Sequence, residues 1–248
     1  MSTNKFFYIN GKWVSEKIAK IPFKDAGFLY GDGLFETIRF NNNIPFKLKN
    51  HIDRLKRGCN TLNLNLTLSN SDIYKIINSI INKNDFTDGL IRFMITRGIM
   101  NSGTPWNYKG EAGVYVLIRP FSIDPKLPVK VVYYNENKYP IIRYNPAIKS
   151  MNYVGNLLAK KNAEDEGAYE PVFINNDGFV TECAIRNIFY VKNNILITPS
   201  INLGILPGVM RDTIIDIAKS IGMQIKETHI KCNNINQMDE SFISSTGI

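Results

Sequence analysis

The chain opens on two β-rich runs, Phe6 to Ile9 and Lys12 to Val14, set either side of Asn10-Gly11. Asn-Gly suits a type I′ turn, whose two central residues need positive φ, so the pattern predicts a β-hairpin. A second strand pair, Leu34 to Phe40 and Ile44 to Lys47, flanks Asn41-Asn42-Asn43. Leu48, Ile52, Leu55, Cys59 and Leu62 then recur at spacings of three and four, which predicts a helix with one apolar side. A further helix is predicted over 71–81, followed by strands over 90–96 and 113–119. The second half predicts a strand at 129–134, a helix at 154–166 ended by Gly167, and strands at 171–175, 179–182, 187–191 and 195–198. A last helix over 209–221 ends at Gly222, where glycine suits a left-handed C-terminal cap. Pro120-Phe121-Ser122-Ile123-Asp124-Pro125 breaks both periodicities. The expectation is an α/β chain with mixed, hairpin-rich sheets in two small domains, 1–119 and 126–248, joined by a linker at 120–125.

Composition narrows this picture. At 248 residues, 44% hydrophobic and 21% charged, the chain has an ordinary globular make-up, which argues against a disordered or fibrous protein. Its longest apolar runs, Ile91 to Ile95 and Val114 to Ile118, are broken by Arg92 and Tyr115 and fall far short of the roughly 20 residues of a membrane span. The first residues lack the cationic and apolar regions of a secretory signal. Cys59, Cys183 and Cys232 are odd in number and far apart, so neither a disulfide framework nor a zinc site is expected, and a reducing cytoplasm is the expected compartment.

The net charge of +8 attracts anions: nucleic acid, acidic membranes or phosphorylated small molecules. The densest basic stretch, Lys47, Lys49, His51, Arg54, Lys56 and Arg57, lies on the predicted helix and reads as well as a solvated face. Without zinc spacing, an RNA-recognition signature or a basic strand interleaved with aromatics, a nucleic-acid module is not expected.

Four stretches are richer in special residues than folding requires. Asp25 to Thr37 places three glycines in seven positions before a strand. His51 and Arg54 stand one helical turn apart. Lys149-Ser150-Met151-Asn152-Tyr153 precedes a helix. Thr181 to Asn187 is followed by Leu206-Pro207-Gly208-Val209-Met210-Arg211, where Gly208 opens a helix and its first N–H groups suit an anion. Each alone fits a structural role as well as a functional one.

Together and in this order they resemble the class IV aminotransferase family, the fold-type IV enzymes that use pyridoxal 5′-phosphate. The matching patterns are D-x-G-F-x-Y-G-D-G-L-F-E-T, H-x-x-R-L, K-x-x-N-Y, T-E-x-x-x-x-N-[IL]-F and L-P-G-x-x-R, and the likeness runs from about Tyr8 to the C-terminus. Members include branched-chain aminotransferases, D-amino acid aminotransferases and aminodeoxychorismate lyases. The resemblance implies a two-domain fold of the D-amino acid aminotransferase type, a homodimer and a small amino substrate, with no nucleic-acid or membrane partner and no metal. It implies that Lys149 is the Schiff-base lysine, a role suited to an amine whose pKa falls readily in an enclosed cationic site. Glu182 is implied as the partner of the pyridine nitrogen, keeping it protonated so that the ring draws electrons. Tyr153 matches a residue that contacts the cofactor's phenolic oxygen in branched-chain members. Arg54 matches the phosphate-binding arginine, assisted by the N–H groups of Val209 and Met210. Asn187 and Thr246 complete the implied cofactor contacts, and Phe35, Arg97 and Ser245 the implied substrate contacts.

The chain also departs from the family pattern. Cys183-Ala184-Ile185-Arg186 replaces a frequent Gly-Ser-Ser-Ser, so Arg186 either supplies charge in place of hydroxyls or points away. Met210 stands where threonine is common and offers only its backbone. Relatives usually continue through another short strand, so the resemblance implies that native sequence extends beyond Ile248. As to the reaction, the helix motif R-L-x-x-G-C at Arg54 to Cys59, Thr181-Glu182-Cys183 and Gly208-Val209-Met210-Arg211 resemble the lyases. The segment Ile99 to Trp106 lacks the glycine-arginine loop of many lyases and the R-x-H carboxylate clamp of D-amino acid aminotransferases. The leading expectation is 4-amino-4-deoxychorismate lyase, which forms 4-aminobenzoate and pyruvate for folate synthesis. The alternative is a branched-chain-type aminotransferase using 2-oxoglutarate.

Overall fold

The computed structural model describes residues 5–101, 104–121 and 128–247. Residues 122–125 of the expected linker lie outside the described residues. The chain divides into two compact units, one formed by Met1–Ile123, Ile148–Asn152 and Gly247, the other by Asp124–Ala147, Tyr153–Thr246 and Ile248.

The first unit begins with β1 (Phe6–Ile9) and β2 (Lys12–Ser15), an antiparallel hairpin in which Ile9 faces Lys12. Asn10 and Gly11 have φ of 45° and 87°, as the type I′ turn demands. There follow α1 (Ala26–Tyr30), β3 (Gly33–Asn41), β4 (Ile44–Pro45), α2 (Leu48–Thr61), α3 (Asn70–Asn82), β5 (Asp88–Thr96) and β6 (Gly113–Pro120). One six-stranded antiparallel sheet runs β2-β1-β6-β5-β3-β4. Its inward face is read by alternation: Leu34, Ile38 and Phe40 from β3 and Ile91, Phe93 and Ile95 from β5 meet Ile52 and Leu55 of α2 and Ile73, Ile77 and Ile80 of α3. Gly58 of α2 lies so close to β3 that an added Cβ would come within 2.8 Å of the Leu34 side chain, so any larger residue would force the buried Leu34 to move.

The first part of the glycine-rich stretch, not marked as helical by the sequence pattern, forms α1. Its five residues are too few to display a helical period. Asp25 caps it by accepting from the Gly27 amide at 2.8 Å. Asp25 is fully buried, and its other oxygen accepts from Thr96 Oγ1 at 2.9 Å and Tyr115 Oη at 2.6 Å, tying the helix start to β5 and β6. Burial, followed by the hydrogen bond to Asp25, pushes the Tyr115 phenol well above its ordinary range.

The second unit contains β7 (Val131–Asn135), α4 (Val154–Asp165), β8 (Glu170–Ile174), β9 (Phe179–Cys183), β10 (Asn187–Lys192), β11 (Ile195–Pro199), α5 (Val209–Ser220), β12 (Gln224–Thr228), β13 (Ile230–Lys231) and β14 (Glu240–Ser244). They build two four-stranded mixed sheets, β13-β9-β8-β7 and β12-β11-β10-β14. The pairs β7–β8 and β11–β12 are parallel. Val172, Val180, Ile188, Tyr190 and Ile197 form one core, Ala159 and Ala163 of α4 pack with Phe173, and Ile215 and Ala218 of α5 pack with Phe189 and Leu196. The strands β12 and β14, outside the predicted set, are the edges of their sheet and are largely exposed, so they carry little apolar alternation. Among the described residues no helix is long and apolar enough to cross a membrane, and no group of three or more His, Cys, Asp or Glu could hold a metal ion.

Candidate functional site

Lys149 belongs to a short segment laid along the edge of β3. Strand β4 pairs only with the far end of β3, at Phe40 and Asn41. At the near end, the Phe35 amide donates to the Lys149 carbonyl at 3.0 Å, the Met151 amide donates to the Gly33 carbonyl at 2.9 Å, and Leu34 and Ser150 form a bridge. The main chain of Lys149 is thereby fixed while its side chain stays half-buried. The amine lies 4.6 Å from the centroid of Phe35, whose ring also carries the Arg92 guanidinium at 3.7 Å. Phe35 is only 3% exposed, so a buried ring here carries two cations.

In the same unit, α2 presents His51 and Arg54 one turn apart to Glu36 of β3. Arg54 donates from Nε and Nη2 to the two oxygens of Glu36, each at 2.7 Å, and His51 Nδ1 lies 2.7 Å from Oε2. All three side chains are buried. Burial pushes the Glu36 carboxyl up, but the Arg54 charge and the hydrogen bonds from Arg54 and His51 outweigh it and hold the group down at about 2. Arg54 is thus fixed by a two-pronged grip on one edge of its guanidinium. Glu36 shares the inward face of β3 with Leu34, Ile38 and Phe40. A carboxylate on that face needs a cationic partner, and H-x-x-R supplies it.

Arg97, at the end of β5, donates to Asp32 at 2.5 and 3.1 Å and to the carbonyls of Leu62 and Asn63 at 2.9 and 3.3 Å. It ties the loop before β3 to the loop after α2.

The second unit gathers Glu182, Asn187 and the start of α5. Glu182, half-buried at the end of β9, accepts from the Leu206 amide at 3.3 Å on Oε1 and 3.2 Å on Oε2, accepts from Asn187 Nδ2 at 3.4 Å, and is ion-paired with Arg143. Asn187 Nδ2 also donates to the Leu206 carbonyl at 3.1 Å, and a Cβ on Gly208 would collide with Asn187 Oδ1. The loop from 206 to 208 is thereby held against Glu182. Gly208 supplies no side-chain cap to α5, so the amides of Val209 and Met210 head an uncapped helix start, an arrangement that favours an anion.

The remaining expected residues are placed as follows. Tyr153 donates its hydroxyl to the Ala184 carbonyl at 2.7 Å, beside Asn156 Nδ2 at 2.8 Å. Ser245 and Thr246 follow β14 and are half-buried. Their neighbour Ser244 pairs with Asn187 across β10 and β14, and its hydroxyl is buried with no hydrogen-bond partner among the described residues. Arg186 turns to Glu170, donating from Nη1 at 2.8 Å, while Nη2 bonds the Tyr169 hydroxyl. Arg186 is thus engaged in an ion pair with Glu170 within the second unit. Burial pushes the Glu170 carboxyl up despite the Arg186 charge and the Ile185 amide.

The first unit offers a lysine amine on a fixed main chain. The second offers a carboxylate held by an amide and an arginine, and an uncapped helix start that suits an anion. The profile of the amino-transferase class IV family matches residues 33–248. A Methanocaldococcus jannaschii protein named provisionally as a branched-chain-amino-acid aminotransferase is 35% identical over 96% of this chain and 83% of its own. The aminodeoxychorismate lyase of Bacillus subtilis is 32% identical over 96% of this chain and 82% of its own. The crystal structure of the branched-chain aminotransferase of Thermoproteus uzoniensis with norvaline superposes with a TM-score of 0.89 at 26% identity, covering 98% of this chain and 84% of that one.

Proposed function

The chain belongs to the class IV aminotransferase family, whose enzymes use pyridoxal 5′-phosphate, and from that premise we propose that it is a branched-chain-type amino acid aminotransferase with Lys149 as its catalytic amine. The observation that carries the assignment of Lys149 is the pair of hydrogen bonds that fixes residues 149–151 along β3. When bound, pyridoxal 5′-phosphate supplies an aldehyde and an electron-withdrawing ring that makes the α-proton of an amino acid removable. Lys149 would hold the cofactor through its amine and would take and return that proton. Glu182 holds the proton of the ring nitrogen. Arg54, made rigid by Glu36, and the amides of Val209 and Met210 bind the phosphate. Thr246 and Ser245 add hydroxyls, Asn187 orients Glu182, and Tyr153, Phe35 and Arg97 border cofactor and substrate.

The three segments that resemble lyases have packing explanations. A residue larger than Gly58 would force Leu34 to move, Cys59 and Cys183 are buried, Thr181 Oγ1 donates to Glu136 at 2.7 Å, and Arg211 is 2% exposed on Glu227 and the Pro199 carbonyl. They therefore do not discriminate between the reactions, and the 35% identical relative favours the aminotransferase. The 32% identical lyase keeps elimination of pyruvate from 4-amino-4-deoxychorismate as the second reading.

Incubation of the loaded enzyme with leucine and 2-oxoglutarate, and separately with 4-amino-4-deoxychorismate, tests the proposal. Glutamate formation is expected in the first and no 4-aminobenzoate in the second. The opposite result would replace the aminotransferase with the lyase. In either case K149A should abolish turnover and the visible absorbance of covalently held cofactor, and retention of both would end the assignment of Lys149. The enzyme is expected to act in the cytoplasm as a homodimer. Support for a partner surface comes from Phe23, Phe28 and Tyr30 of the first unit, which are 78%, 62% and 55% exposed. Light scattering of the purified protein measures the assembly.

A further inference from the structure

Arg143 lies between β7 and α4, in a stretch that no sequence motif marks. Its guanidinium nevertheless joins three side chains. Nη1 pairs with Glu182 Oε1. Nη2 donates to Glu136 Oε1 at 2.5 Å and to Thr181 Oγ1 at 3.1 Å, and Nε donates to Glu136 Oε1 at 3.1 Å. Thr181 Oγ1 completes the ring of contacts by donating to the same Glu136 oxygen at 2.7 Å.

The two sides of this bridge differ. Glu136 opens the turn directly after β7 and receives two donors of the fork, so it anchors the guanidinium to the sheet. Glu182 receives the remaining edge. Its hydrogen bonds from Leu206 and Asn187 span 3.2–3.4 Å, the long end of the useful range. The charge-assisted contact from Arg143 is therefore the strongest of these restraints on its rotamer. Burial pulls the Arg143 pKa down, but Glu182 and Glu136 more than offset that and raise it, so the bridge stays cationic.

We propose that Arg143 is a positioning residue that acts through Glu182, fixing the orientation of the carboxylate that serves the ring nitrogen of the cofactor. The inference rests on the assignment of Glu182 made above. Groups that orient a ligand-binding side chain from behind typically change affinity or activity on the order of 10–100-fold when removed. Lysine in place of Arg143 keeps the charge but loses the fork, so it can serve one glutamate and not bridge both.

The test compares pyridoxal 5′-phosphate-loaded wild type with R143M, R143K and the double variant R143M/E136Q. Three quantities are measured: the visible absorption band of the bound cofactor, kcat and KM for the amino donor, and the melting temperature of the cofactor-free protein. R143M should lower kcat on the order of 10–100-fold with a smaller change in KM, and should shift the band. R143K should recover part of the loss. The double variant, which also removes the Glu136 charge, should regain the melting temperature but not the band or kcat. Should R143M not fold, R143K and the double variant report the same quantities. A wild-type band and kcat in R143M, or their return in the double variant, would reduce Arg143 to a structural counter-charge for Glu136. That failure is separate from failure of the parent reading, in which wild type binds no pyridoxal 5′-phosphate or K149A binds it unchanged.

Discussion

Arg54 and Arg186 are 7% and 8% exposed, and each binds a glutamate that is almost wholly removed from water, Glu36 in the first unit and Glu170 in the second. The two acids nevertheless move in opposite directions: Glu36 falls to about 2, whereas Glu170 rises. Burial pushes both up. The difference lies in the donors. Glu36 takes two bonds from the Arg54 fork and one from His51, while Glu170 accepts from Arg186 Nη1 and the Ile185 amide and lies 3.9 Å from Lys160. A buried ion pair is thus not one kind of object. For Glu36 the arginine charge and hydrogen bonds outweigh burial, whereas for Glu170 burial outweighs its cationic neighbours and the Ile185 amide. The rigid pair is the one that includes the proposed phosphate ligand.

The contrast can be broken most directly by removing one acid. E36A leaves Arg54 and His51 buried without their counter-charge and should destabilise the protein by about 3–5 kcal/mol in urea unfolding. A loss below about 1 kcal/mol would mean that the triad is not the rigid element described. Acid titration gives a somewhat smaller effect. A drop of the Glu36 pKa from 4.5 to about 2 corresponds to about 3 kcal/mol of stability. Because the folded value lies below the unfolded one, that stability is present above about pH 4.5 and lost as the pH falls toward 2. In E36Q the acid slope should flatten, whereas E170Q, which removes an acid shifted the other way, should not flatten it. Equal slopes in the two variants would erase the distinction. The smallest effect concerns the arginines. R54K loses the fork and should weaken retention of pyridoxal 5′-phosphate on the order of tenfold, about 1.4 kcal/mol, while R186K should leave retention unchanged. Equal weakening in an equilibrium titration would show that both pairs serve the site.

Much of the fold was legible because it rests on short-range pattern. The Asn10-Gly11 hairpin, the apolar stripe of α2 and the glycine end of α5 each follow from local chemistry. Helix α1 was hidden because its five residues are too few to show a helical period and Asp25, its cap, is held by Thr96 and Tyr115 from distant strands. Lys149 and Glu182 were named through ordered motifs, not through periodicity. Their supports were not. Arg143 meets Glu182 across 39 positions and Glu170 meets Arg186 across 16, and only the folded chain brings such pairs together. Glu36 is the exception, since a lone acid on an otherwise apolar strand face could have been matched to H-x-x-R.

The stitching of residues 149–151 onto β3 has one more consequence. A lysine that must alternately hold and release its ligand needs reach, and in a loop that reach would come from wandering main chain. Here the backbone hydrogen bonds immobilise the root of the side chain, so the whole stroke falls to four methylenes. The amine can swing through an arc of a few ångströms and return to one spot, because its hinge is a single Cα nailed to the margin of a sheet.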